Sequence, residues 1–421
     1  MKVLWISNIP FGPLCELAGQ AKSSGGSWLD AAFDALSKDK EIELTIVTVS
    51  RVNEVRMKKV GNHTFYILPG GYPIEYNHTL ISNKKHWKKI RLDSSPDLIQ
   101  IWGTEFTHGY LALQVMKGIP SIIYMQGLMN QIARYYLSGI SDRDLRQSIT
   151  LRDIVKIDWI KQQQAKFIRR SVVEAEMLEI AGNVIVENEW CETHCKVIAS
   201  KCVVYKSMLN IKEEFYNQEW AVDKMQPYTI MCNAAGYPIK GLHILLKALS
   251  IIIKKYPNAI LLIPGEKSPF EKSFFEKFRI NGYSKYLLSI IKKFNLKDNI
   301  QFLDKLSSSQ MAEKMANSNV FVMPSSIENH SSTLIEAMIV GTPCISSYVG
   351  GIPEYMLHDV NGLVYRFEDY EVLSTHIEKI FGDISFATKI ALKGRITMRD
   401  SRNSLNFKDE LLDIYNKVLN R

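Results

Sequence analysis

Residues 324–363 read PSSIENHSSTLIEAMIVGTPCISSYVGGIPEYMLHDVNGL. The run Asn319 to Met323 just before them is apolar and β-branched, so the stretch parses as strand, polar loop, helix, Gly341-Thr342-Pro343 turn, strand and Gly350-Gly351 loop. A parallel strand ending at Met323 delivers its loop to the carboxyl edge of a sheet, where open α/β folds bind ligands. The loop then feeds a helix whose first N–H groups attract anions, and Ser331, Ser332, Thr333 and Leu334 occupy that helix start.

Working outward, the same alternation recurs along the chain. Strand-like runs lie at Lys2 to Ser7, Glu43 to Val49, Asp97 to Trp102, Pro120 to Met125 and Asn183 to Glu187, with helical patterns between. The pattern restarts at Tyr228 to Cys232 and continues through Ala259 to Ile263, Asn299 to Leu303, Asn319 to Met323 and Pro343 to Ser346. A long helical stretch is expected from Phe270 to Phe294. Alternating strands and helices imply parallel sheets with right-handed crossovers, here in two sets. Residues 1–210 are expected to form an N-terminal Rossmann-like, acceptor-side domain and 211–400 a C-terminal, donor-binding one. The helices of 131–170 read as an insertion in the first half, and a C-terminal helix over about 400–421 is expected to pack back on the N-terminal domain.

The chain has 421 residues, 46% hydrophobic and 23% charged, the composition of a folded protein long enough for two cores. The formal charge of +8 fits an anionic substrate, an acidic membrane or nucleic acid without choosing among them. No recognition module supports nucleic acid, and neither half shows G-x-G-x-x-G after its first strand, which argues against a dinucleotide-dependent dehydrogenase. Six sparse cysteines suggest a reducing cytosol, and the broken apolar start is not expected to act as a secretory leader. No run approaches the length of a membrane span, so any membrane contact is expected to be peripheral, at the inner face.

Glu328 and Glu336 stand eight residues apart, about 12 Å of rise if helical throughout at about 1.5 Å per residue. That exceeds the roughly 5 to 9.5 Å between carboxylates that cooperate in glycoside hydrolysis, so the pair is read as gripping opposite ends of one elongated ligand.

The arrangement P-S-x-x-E-x7-E-A-M-x-x-G-x-P, followed by G-G-x-x-E and N-G-L, resembles the C-terminal signature of retaining glycosyltransferases of family four. The resemblance covers most of the chain: Gly25 and Gly26 match the family's N-terminal glycine loop, and Lys240-Gly241 its basic motif. It implies a GT-B fold, two Rossmann-like parallel-sheet domains facing across a cleft, and transfer of a sugar from a nucleotide-diphosphate sugar to a glycan or lipid-linked acceptor. Glu328 would contact the transferred sugar and Glu336 the ribose. Lys240 would neutralise the diphosphate, the amides near Ser332, Thr333 and Leu334 would face the sugar or diphosphate, and Gly25 and Gly26 would let the N-terminal domain close on the donor. In the family's front-face proposal the departing phosphate takes the acceptor proton, so no metal or cofactor is expected. Two features depart from the pattern. Ala234 and Ala235 stand where members often carry Gly-Arg, and Gln126 stands where many carry histidine.

Trp102 and Glu105, after another strand, are placed with Gln126 on the acceptor side, the alternative being that Trp102 is core and Glu105 a helix cap. Cys191, His194, Cys195 and Cys202 lack common zinc spacings and read as buried helix and strand. The run Lys84 to Arg91, with His86 and Trp87, reads equally as a lipid-docking face or a solvated helix. Two other functional readings are a nucleotide-sugar epimerase of the same fold, which would act without an acceptor, and a non-catalytic nucleotide-sugar-binding paralogue.

Overall fold

A computed structural model describes residues 1–20, 27–70, 78–233, 236–265, 280–403 and 406–421. Gly25, Gly26, Ala234 and Ala235 lie outside the described residues, as does the first half of the Phe270 to Phe294 stretch, whose remainder holds the helix Gly282–Lys293. The chain divides into two compact units, Met1–Asn130 with Ile168–Ile211 and Leu405–Arg421, and Gln131–Phe167 with Lys212–Ser404.

The first unit holds β1 (Lys2–Ser7), β2 (Glu43–Ser50), β3 (Arg56–Val60), β4 (His63–Pro69), β5 (Leu98–Trp102), β6 (Ser121–Tyr124), β7 (Asn183–Val186) and β8 (Val203–Lys206), in the order β3-β4-β2-β1-β5-β6-β7-β8. The central strands pair in parallel and are buried on both faces. Along β1, Val3 and Trp5 enter one apolar layer while Leu4 and Ile6 enter the other, which is why the strand reads as a continuous hydrophobic run. One pairing departs from the expected parallel sheet: β3 joins β4 antiparallel. The C-terminal helix Phe407–Leu419 belongs to this unit, burying Phe407, Leu411, Ile414, Tyr415 and Val418 along one face. Trp5 Nε1 donates to Tyr415 Oη over 3.0 Å, and that hydroxyl donates to Gln100 Oε1.

The second unit holds β9 (Gln226–Cys232), β10 (Ile260–Pro264), β11 (Ile300–Leu303), β12 (Ser318–Met323), β13 (Cys344–Ser347) and β14 (Leu363–Tyr365), in the order β11-β10-β9-β12-β13-β14, with every pairing parallel.

The inserted helices correct the reading that placed them with the first half, because 131–167 pack into the second unit. Ser138 Oγ lies 2.9 Å from Ser326 Oγ. His243 Nε2 donates to Ser138 O over 2.8 Å, while its Nδ1 accepts from the Tyr283 hydroxyl at 3.1 Å. Burial pushes this imidazole down to about 3, so it is neutral and the tautomer follows from the two partners. Lys285 Nζ donates to Ile149 O over 2.9 Å, and Gly282 leaves room for the Ser148 carbonyl and Asp153.

Candidate functional site

Strand order reverses in the second unit between β9 and β12, so the loops after Cys232 and Met323 diverge from one point at the carboxyl edge. Three interactions hold those loops together. Ser326 N donates to Ile239 O over 2.8 Å, and Asn233 Nδ2 donates to Thr333 Oγ1 over 3.1 Å. Gly241, in the left-handed region at φ 70°, leaves space where a Cβ would lie 1.7 Å from the Pro324 carbonyl oxygen.

This clasp brings Lys240 to Glu328. The ammonium donates to Glu328 Oε1 over 2.6 Å, and Ser325 Oγ donates to the same oxygen over 2.7 Å. Oε2 accepts nothing among the described residues. Burial works against the charge on Lys240, but the Glu328 carboxylate outweighs it and holds the ammonium above its ordinary value. The backbone of Glu328 is fixed from the far side: Gly351 N donates to its carbonyl over 3.3 Å, and Gly350, at φ 53°, replaces a Cβ that would sit 1.7 Å from that oxygen.

The helix after the loop runs Ser332–Val340, so residues 328–331 are not helical and the eight-residue spacing of Glu328 and Glu336 is not a helical rise. Ser331 caps this helix, its hydroxyl accepting from Leu334 N at 3.4 Å. That cap takes the Leu334 N–H and leaves those of Ser332 and Thr333 without an intrahelical acceptor, as at any helix start. Glu336 sits farther along, 7% exposed. Burial pushes its carboxyl up to about 8, against the pull of Lys212 and Arg402.

In the first unit the order reverses between β1 and β5, and the loops after Ser7 and Trp102 meet there. Asn8 Nδ2 donates to Glu105 Oε2, and Gly127 N donates to Glu105 Oε1 over 3.0 Å. Burial pushes Glu105 up to about 7, the Gly127 amide opposing and Glu174 adding to the rise. Glu174 is fully buried; it accepts from Thr104 Oγ1 at 2.6 Å and from the amides of Met129 and Asn130 at 2.9 and 3.3 Å. These two carboxyls pin the loop that carries Gln126, which is half-buried. The acceptor-side placement of Trp102 is corrected, and the alternative holds: the ring is core, fully buried, stacked on Tyr124 at 5.0 Å and flanked by Trp5 and Trp28.

Sequence reasoning missed Ser325, Asn233 and Glu174. Asn233 carries a signal only once the β9 and β12 loops are known to touch, Ser325 acts within its own loop on Glu328 three residues on, and Glu174 looks like any charged residue of a long helix.

Elsewhere, Cys191, Cys195 and Cys202 pack into the apolar core, where the Cys195 partner and burial raise the Cys191 thiol and burial pushes Cys202 up to about 12. In the basic run, Trp87 is fully buried and Ile90 nearly so, leaving the lysines outward. No described helix is long and apolar enough to cross a membrane.

Residues 212–395 match the family model described as Glycosyl transferases group 1. Spore coat protein SA of Bacillus subtilis is 28% identical over 183 residues, 42% of this chain and 46% of that protein, so the match spans less than half of this relative's length. The uncharacterised glycosyltransferase YqgM of Bacillus subtilis is 25% identical over 283 residues, 66% of this chain and 74% of that protein. Sucrose-phosphate synthase from Thermosynechococcus elongatus superposes with a TM-score of 0.75 at 18% identity, covering 99% of both chains. HepE of Anabaena, solved in complex with UDP-glucose, gives 0.65 at 13% identity over 99% of this chain and 100% of that one.

Proposed function

We propose a donor and a reaction for this chain, which is a group 1 glycosyltransferase of GT-B fold: it takes a sugar from a nucleotide-diphosphate sugar and transfers it, with retention, to a hydroxyl of a glycan or lipid-linked saccharide. The observation that carries this reading is the Lys240–Glu328 pair at the strand-order reversal, one helix start away from Ser332. A cation and partner-free amides suit a diphosphate, and a carboxylate with one oxygen unengaged suits sugar hydroxyls. The UDP-glucose seen in the HepE structure is a donor of this class.

In the transfer, the bond from the anomeric carbon to the diphosphate oxygen breaks and a bond to the acceptor oxygen forms on the same face. The departing phosphate takes the acceptor proton. The protein's task is then to stabilise charge that grows on the leaving group, which Lys240 and the Ser332 and Thr333 amides perform without rearranging. Glu328 orients the sugar while its partners Ser325 and Lys240 fix the carboxylate. Glu336, held mostly protonated at neutral pH, offers a hydrogen-bond donor as well as an acceptor to the ribose diol. Glu105 and Gln126 serve the acceptor side, and neither metal nor cofactor takes part.

Thermal shift against a panel of nucleoside diphosphates and their sugars, followed by product analysis with and without acceptor saccharides, tests this. Stabilisation by one nucleotide sugar and acceptor-dependent transfer are expected, with both lost in Glu328→Gln. A changed sugar formed from donor alone would indicate epimerisation. Tight binding with no turnover on any acceptor would mark a binding protein.

A further inference from the structure

We propose that the inserted helix Leu151–Lys156, with Ile157 that ends it, is a docking surface for an anionic lipid bilayer. Four aliphatic side chains within seven residues face solvent: Leu151 is 66% exposed, Ile154 64%, Val155 82% and Ile157 67%. Aliphatic exposure this dense is unusual on a protein surface and marks an interaction face. The segment is also rigid. Thr150 and Asp153 form a reciprocal capping box, and the insert is tied to the second unit through Ser138, Ser148 and Ile149.

Ile157 caps the helix in the left-handed region at φ 48°, where glycine or asparagine is usual and a β-branched residue is strained. A bulky aliphatic thus stands exposed at the tip of the segment, and Trp159 follows half-buried.

Charge selects the occupant. Arg143, Arg146, Lys156 and Lys285 are exposed in or beside the insert. The insert's acids are already engaged: Asp142 by Lys161 at 2.7 Å, Asp158 by Lys166 at 3.0 Å and by Arg152, Asp153 by Arg152 and the Thr150 amide, and Asp144 by the Ser141 hydroxyl. Exposed aliphatic residues in a segment that also exposes Arg143, Arg146 and Lys156 match the boundary between acyl chains and anionic headgroups. The basic helix of the first unit is a poorer candidate, since Trp87 and Ile90 are spent in its core.

The inference does not depend on the transfer chemistry and is read without donor. Full-length protein is sedimented with phosphatidylcholine vesicles, with and without phosphatidylglycerol. Binding to the anionic vesicles alone is expected, and Ile154→Asp with Val155→Asp should weaken it at least about tenfold. The milder Val155→Ser, chosen to melt like the parent, should weaken it in the same direction. Unchanged binding in both variants, equal binding to neutral vesicles, or a dimer in solution that these variants dissociate would each overturn the proposal. Nucleotide-sugar binding by the same variants stays intact, which separates failure here from failure of the transferase reading.

Discussion

The ammonium of Lys240 and the carboxylate of Glu328 are 88 residues apart in sequence and 2.6 Å apart in space, joined by the loops that follow two neighbouring strands. Each residue affects the other: the carboxylate keeps the lysine charged despite burial, and the lysine occupies one carboxylate oxygen while the other accepts nothing among the described residues. Lys240→Ala should lower kcat for sugar transfer about 100- to 1,000-fold, the range seen when one preorganised stabiliser of developing charge is removed. Because the two act as a unit, adding Glu328→Gln to Lys240→Ala should cost much less than the product of the single losses. Steady-state kinetics on the single and double variants measures this, and multiplicative losses would show that the residues act independently.

Gly350 and Gly241 make that pair possible by leaving space for carbonyl oxygens. Alanine at either position places a methyl 1.7 Å from backbone oxygen, at Glu328 or Pro324, and adds left-handed strain. Each substitution should destabilise the second unit by about 1–3 kcal/mol or more in chemical denaturation. The same variants should lose donor binding, since the loops bearing Lys240 and Glu328 must part. Alanine variants that retain both stability and donor affinity would refute the clasp.

The strands that decide the architecture were legible because central parallel strands are buried on both faces and read as unbroken apolar runs, as β1 and β12 do. The hairpin β3–β4 was not, since β3 reads Arg-Met-Lys-Lys-Val, an exposed edge whose charges mask any alternation. Trp102 could be placed in a strand but not on a side of it, because a strand-end aromatic serves a core or a ligand with the same residue type. The partner of the inserted helices was equally hidden: it rests on Ser138 meeting Ser326 and His243, contacts 188 and 105 residues apart that carry no local pattern. Within the site, the motif residues were visible individually, whereas Asn233 became legible only through the geometry of the two loops.

Glu174 offers a test of the first unit. It carries no exposed surface and satisfies Thr104 and the amides of Met129 and Asn130. Glu174→Ala would leave those donors buried without an acceptor, at about 1–3 kcal/mol for each group that water cannot reach. Amide exchange at Met129 and Asn130 should quicken more than at the central strands. Equal acceleration across the unit would indicate a general packing defect and not release of the Gln126 loop.

Glu336 gives the folded protein a pH dependence whose sign can be worked out. Burial raises its carboxyl from 4.5 to about 8, so between those values the folded chain keeps a proton that the unfolded chain has released. Stability from this group is complete below pH 4.5 and is lost as pH rises through about 8. Glu105 and Glu174, each pushed up to about 7, act in the same direction, while His108 and His243, pushed down to about 4 and about 3, act in the opposite one. Those four remain in Glu336→Gln, so the difference in Tm between variant and parent isolates the one carboxyl. The glutamine variant should gain on the parent steadily from pH 4.5 to 8. Lys212→Ala, which removes a cation that pulls the Glu336 value down, should carry the decline on to higher pH, beyond about 8, without changing its slope below that. A Tm difference that is flat with pH would show that Glu336 is ionised and solvated in the folded state.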